Sequence, residues 1–178
     1  VVSLPVLRVL GQVLNSYIVA EGPDGLYLID QHAAHERIRF DKVRKQRAQR
    51  EMEVQGLLEP ATFEVNPRQD EILKSSHEKL TEFGFSLEPF GSRTYLVRAV
   101  PSLIGKDSWA VMLRELLDLL AGEARSCWEE KIVASIACHG AIRSGQALSD
   151  DEMRELVRQL EQTANPHTCP HGRPTVIH

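Results

Sequence analysis

The spacing of apolar and polar residues changes character three times along the chain. Residues 6–13, 16–21 and 26–30 are rich in β-formers, and Asn15-Ser16 and Gly22-Pro23-Asp24-Gly25 punctuate them as turns. This pattern predicts a meander or a pair of hairpins. Residues 31–50 contain neither glycine nor proline and carry good helix formers, which predicts a helix starting just after Asp30. Residues 52–58 read as a short strand or extended segment closed by Pro60. Pro67 then opens a helix that ends near Gly84, since its fixed φ suits a first helical turn. Residues 85–90 and 94–100 read as a hairpin around Gly91-Ser92. Trp109, Met112, Leu113, Leu116, Leu117 and Leu120 fall at i, i+3, i+4, i+7, i+8 and i+11, the spacing of an amphipathic helix.

The last third reads as helix, helix, loop, strand. Residues 132–142 carry no formal charge, and a helix apolar all round is buried all round. Ser149-Asp150-Asp151-Glu152 is a capping-box pattern, followed by Met153, Leu156, Val157 and Leu160 at helical spacing. That helix is expected to stop near Asn165-Pro166, because the residue before proline avoids the α region. Residues 175–177 are β-branched and read as a strand. The fold class expected is α+β, with residues 61–120 forming an α/β insert that has its own small core. Residues 1–60 and 121–178 form the other subdomain.

Composition narrows the classes. A chain of 178 residues suits one domain or two small subdomains, and at this size a core needs no staples. With 42% hydrophobic and 26% charged residues, disordered, collagen-like and coiled-coil readings drop out. No run of 18 apolar residues occurs, so no membrane-spanning helix is expected. No signal peptide is visible, and a start at Val1 rather than Met reads as a piece cut from something longer. The net charge of -4 and pI of about 6.0 predict weak autonomous binding to DNA. Action on DNA would need a partner or another domain to deliver the chain. Cys127, Cys138 and Cys169 are an odd set without regular spacing, which argues against a disulfide framework and for a reducing compartment.

Two segments could carry chemistry. In Asp30-Gln31-His32-Ala33-Ala34-His35-Glu36, His32 and Glu36 lie four apart on one helix face, and Asp30 sits at the strand-to-helix junction. Imidazole and carboxylate on one face suit a divalent metal. Alternatively, Asp30 caps the helix and His32 is a satisfied core histidine. In Cys169-Pro170-His171-Gly172-Arg173-Pro174, Cys169 and His171 point to one side of an extended chain. The prolines and Gly172 shape the loop. A small buried apolar cysteine is the other reading of Cys169. Together the two segments offer Asp, His, Glu, Cys and His, enough for two metals sharing a bridging carboxylate. Cys138 lies about 170° from the centre of the stripe Ile132, Val133, Ile136 and Ala137 and faces a different element, as a packed residue or a ligand. Cys127 reads as structural. Seven basic residues lie between Arg37 and Arg50, with Asp41 the single acid among them. They form either a solvated helix end or a phosphate-contacting rim. Gln55-Gly56-Leu57-Leu58-Glu59-Pro60 is either a strand end with two core leucines or a linear segment for a partner's groove.

In this order, these pieces resemble the C-terminal domain of MutL proteins of DNA mismatch repair, in the branch with a latent endonuclease. Asp30-Gln31-His32-Ala33 with Glu36 is similar to that family's nuclease motif. Ala137-Cys138 is similar to its second motif, and Cys169 to Pro174 to its third. The bacterial type, in which one chain supplies every motif, is nearest. The resemblance implies nicking of one DNA strand, with Asp30, His32 and Glu36 catalytic. It also implies that Asp30, His32, Glu36, Cys138, Cys169 and His171 hold Zn2+ and/or Mn2+ at two sites per chain. It implies a homodimerisation subdomain built from both chain ends and an external, regulatory subdomain at 61–120. The implied partners are a replication sliding clamp at Gln55, Leu57, Leu58 and Pro60, a MutS-type mismatch recognition protein through the full-length protein, and double-stranded DNA. Arg37, Arg44, Arg47 and Arg173 are the candidate DNA contacts. An ATPase domain elsewhere in the full-length protein and a cytoplasmic, nucleoid-associated, bacterial location complete the expectation. Two positions depart from the family pattern: Asp41 stands where Glu is usual, and His139 follows the motif cysteine where some relatives have Arg or Lys. The rival expectation is a non-catalytic dimerisation module with one structural zinc.

Overall fold

The computed structural model describes residues 3–105 and 107–178. Two compact units emerge, Val1–Lys42 with Ala141–His178, and Val43–Gly140. The expected subdomain limits lay at 60/61 and 120/121. Strand pairing within the second unit begins at Val54, ahead of the expected limit. The architecture is α+β, as expected, with one antiparallel sheet in each unit.

In the first unit, β1 (Arg8–Val13), β2 (Tyr17–Gly22), β3 (Gly25–Asp30) and β7 (Val176–Ile177) form a sheet in the order β1-β2-β3-β7. Strict alternation buries Ile18 and Ala20 on β2 and Tyr27 and Ile29 on β3. These residues pack with Ala34 and Ile38 of α1 (Gln31–Gln49), and with Met153, Leu156, Val157 and Leu160 of α5 (Asp150–Glu161). The capping box at Ser149 is present, with Glu152 N–H on the hydroxyl and Ser149 N–H on the Glu152 carboxylate. This helix ends at Glu161, earlier than Asn165-Pro166 predicts. Local bonds explain the stop: the Thr163 hydroxyl donates to Leu160 O, and the Ala164 N–H donates to Asp41 Oδ2.

In the second unit, β4 (Val54–Glu64), β5 (Ser86–Gly91) and β6 (Thr94–Pro101) are ordered β4-β6-β5. The helices are α2 (Pro67–Glu82), α3 (Trp109–Leu120) and α4 (Trp128–Cys138), with a 3-10 turn at Arg125–Cys127. All six residues of the α3 stripe are buried. β4 runs past Pro60, where the sequence predicts a stop. Its register breaks between Gly56 and Ala61, so Pro60 lies in a bulge where no ladder N–H is needed. The uncharged helix expected at 132–142 begins at Trp128 and ends at Cys138. Residues 139–149 run on without helix or strand.

Candidate metal centre

The first motif is placed by a strand end and a helix start. Asp30 closes β3, and its Oδ1 accepts the Ala33 N–H at 3.0 Å, the geometry of an N-cap. α1 then presents His32 and Glu36 one turn apart, with His32 Nε2 3.2 Å from Glu36 Oε1. The Glu36 side chain is only 3% exposed. Its other oxygen, Oε2, lies 3.4 Å from His171 Nδ1 and 3.0 Å from the Arg173 Nη2 that donates to it.

The third motif is a closed loop fastened to the same unit. The Cys169 N–H donates to Arg173 O at 2.8 Å, and the Gly172 N–H donates to Cys169 O at 2.9 Å. Gly172 has φ of +80°, a conformation that a side chain disfavours. The Arg37 Nε donates to Thr168 O at 2.7 Å, and the Asp30 N–H donates to Thr175 O at 2.9 Å. Cys169 is buried, and its sulfur accepts from the Arg173 guanidinium. That bond, with the Glu36 charge, holds Arg173 above the usual guanidinium range.

The residues present fit a divalent cation, and His32 supplies the test. Its Nδ1 lies 2.7 Å from Ile142 O. A carbonyl only accepts, so Nδ1 carries a proton, and Nε2 faces a carboxylate. A ring nitrogen and the oxygen of a buried carboxylate face each other across 3.2 Å, an arrangement that a proton or a metal ion between them completes. Glu36 and His171 each offer a further ligand atom.

The remaining site candidates are placed as follows. Cys138 closes α4 in the second unit and is half-buried. His139 beside it is engaged at both ring nitrogens, with Ser135 O at 3.0 Å and Glu115 Oε2 at 2.8 Å, so the residue that departs from the family pattern is held within that unit. Arg37 is buried and braces Thr168 O and Asp41. Arg47 pairs with Glu82 and Glu129 and lies over the Phe83 ring. Arg44 is exposed. Gln55 donates to Ile104 O at 2.7 Å, while Leu58 is fully exposed on the bulge, with Pro60 exposed nearby and Leu57 half-buried. Leu58 is therefore no core leucine.

Two residues of the first motif segment, given no role of their own from the sequence, are tied to distant backbone. Gln31 is completely buried, accepts from Gln12 Nε2 at 2.6 Å, and donates to the carbonyls of Asn15, Arg143 and Gln146. His35 accepts the Ile142 N–H at Nδ1 at 2.7 Å. Burial, with the Arg39 and His32 charges adding to it, pushes the His35 imidazole down to about 4, so it is neutral at physiological pH. Both bond to backbone more than a hundred residues away, which no local pattern announces.

The profile of the MutL C-terminal dimerisation domain matches residues 10–148. Proteins named DNA mismatch repair protein MutL are similar over nearly the whole chain. The one from Koribacter versatilis is 43% identical over 175 residues, covering 96% of this chain and 27% of the relative. That of Halothermothrix orenii is 41% identical over 99% of this chain and 28% of its own length. That of Bacillus pumilus is 39% identical over 98% of this chain and 28% of its own. The chain thus spans less than a third of the length of these relatives. With most of its residues matched, the chain belongs to the MutL C-terminal dimerisation domain family.

Proposed function

We propose that the chain is the endonuclease and dimerisation domain of a MutL protein, nicking one DNA strand in mismatch repair as a divalent-metal-dependent phosphodiester hydrolase. The observation that carries this reading is His32 Nε2 facing the buried Glu36 carboxylate, with His171 and Arg173 on its other oxygen. Asp30, His32, Glu36, Cys169 and His171 would hold Zn2+ and/or Mn2+ at two sites. Cys138 joins them on its match to the second motif alone. Bound metal would polarise a phosphoryl oxygen and lower the pKa of an attacking water. The carboxylates of Asp30 and Glu36 balance cationic charge, and the His171 and Cys169 donors are held by the closed loop. The Arg173 guanidinium, half-exposed beside Glu36, would meet a phosphate, and the exposed Arg44 is a second candidate.

The net charge of -4 keeps intrinsic DNA affinity low, so location comes from a sliding clamp captured by Gln55, Leu57, Leu58 and Pro60 on the β4 bulge. A MutS-type protein and an ATPase domain act through the full-length protein, in the bacterial cytoplasm at the nucleoid. Homodimerisation uses the open face of the first sheet, where Val13, Tyr17, Leu26 and Ile177 are exposed. Ile132 and Met153 are buried within their own units and serve the core there.

Elemental mass spectrometry on the purified chain tests the metal. One or two transition metals per chain are expected, lost in both Glu36→Ala and Cys169→Ala. No metal after saturation with zinc and manganese would refute the reading. Asp30→Asn keeps a capping side chain. It is expected to abolish clamp-stimulated nicking while leaving fold and dimer intact. A metal-loaded dimer that never nicks would instead be the structural-zinc module.

A further inference from the structure

Ile142 is held by both of its backbone polar groups. Its N–H donates to His35 Nδ1 at 2.7 Å, and its C=O accepts from His32 Nδ1 at 2.7 Å. The donor and acceptor roles fix one nitrogen of each ring. His32 carries a proton on Nδ1 and turns Nε2 toward Glu36, while His35 is a lone pair at Nδ1 and carries its proton on Nε2. Residues 139–149 have no helix or strand to fix Ile142, so side-chain bonds do that work. Gln31 secures the following turn through Arg143 O and Gln146 O, and these bonds stop short of Ile142 itself.

We propose that His35 is a positioning residue: by gripping the Ile142 N–H, it places the carbonyl that orients His32, and so presents His32 Nε2 to Glu36 and to a divalent cation. The cation in this statement rests on the metal-dependent reading above. The relay from His35 through Ile142 to His32 does not. Metal-binding imidazoles commonly anchor their second nitrogen on a carbonyl, and loss of such an outer partner costs about 10- to 100-fold in metal affinity. Here the anchor is itself anchored, by a histidine three residues along the same helix.

The test uses the whole 178-residue chain, labelled with nitrogen-15, and long-range proton–nitrogen correlation spectra that report each ring's tautomer. The wild-type protein is expected to show His32 as the Nδ1–H form and His35 as the Nε2–H form. His35→Ala is expected to mix the His32 tautomers and to weaken zinc and cobalt(II) binding, read by competition with a chromophoric chelator, by about 10- to 100-fold. His35→Asn puts an acceptor oxygen near the place of Nδ1 and is expected to restore both readouts. A His32 Nε2–H form in the wild type overturns the proposal without any variant, so failure of His35→Ala to fold leaves it testable. An unchanged His32 tautomer in His35→Ala overturns it whatever happens to stability, and unchanged metal affinity beside an altered tautomer overturns the link to the cation. If the wild-type chain binds neither metal, the metal-dependent reading falls, and the tautomer response alone decides the role of His35.

Discussion

The Tyr95 hydroxyl donates to Asp70 Oδ1 at 2.6 Å, and Lys74 Nζ donates to Asp70 Oδ2 at 2.6 Å. The Lys74 bond first, then that of Tyr95, holds the Asp70 carboxyl below its ordinary 3.8. Burial, then Asp70, pushes the Tyr95 phenol up to about 12. The signs follow from linkage. Asp70 contributes stability that is present above its unfolded pKa and lost as pH falls through its lower folded value. Tyr95 contributes stability that is present below 10 and lost as pH rises through about 12. Melting temperature measured against pH is therefore expected to fall at both extremes in the wild type, and Tyr95→Phe is expected to flatten the alkaline fall. An alkaline limb unchanged in Tyr95→Phe would dismiss this pair. The candidate metal centre shows the same limit on reading single residues. His32, Glu36, Cys169 and His171 stand out in the sequence as candidates because their chemical types are specific. Gln31 and His35 were not, because amide and imidazole groups that bond distant backbone look like any others in a sequence.

At the scale of elements, α3 offers a direct comparison. Leu113 is completely buried, while Val111, two residues earlier, is 58% exposed. Leu113→Ala is expected to cost about 2–5 kcal/mol from lost burial and the cavity left behind. Val111→Ala is expected to change stability by no more than about 0.5 kcal/mol. Chemical denaturation of both variants checks this, and equal costs would mean that the helix packs on another face. Apolar spacing reported α3 and α5 well because one stripe faces one core. It failed at the end of α4, where Ile142 continues the apolar run but its backbone groups are taken by two histidines instead of a helical turn. It also failed at Pro60, since a bulge lets a strand continue past a proline.

At the scale of the whole molecule, cross-strand pairs in the first sheet identify its open face. Val13 pairs with Tyr17, Glu21 with Leu26 and Leu28 with Ile177, all pointing away from the buried Ile18, Ala20 and Ile29. A lone antiparallel sheet can leave one face to water, but such a face is then normally polar. Leu26 and Ile177, each at least 60% exposed, give this one the character of an association surface. Sedimentation equilibrium is expected to show a dimer. Leu26→Asp or Ile177→Asp is expected to weaken it by about 10- to 100-fold, from burial of an unsatisfied polar group. A dimer unmoved by both substitutions would exclude this face. Among the described residues, no helix is long and apolar enough to cross a membrane.

Period and punctuation alone determined the order of strands and helices, the α+β class and the ligand-type residues, because these depend on spacing within a dozen residues. The motif resemblance likewise needed only residue identity. The tertiary structure decided everything that joins distant stretches. It brought the loop of Cys169 and His171 onto α1 through Arg37 and Thr168, and committed His32 Nδ1 to a carbonyl 110 residues away. It spent Arg37 and Arg47 on internal partners and left Arg44 exposed. It also drew the second unit out to Val43–Gly140. Hydrogen bonds and burial between remote segments exist only after folding, so they leave no period in the sequence to read.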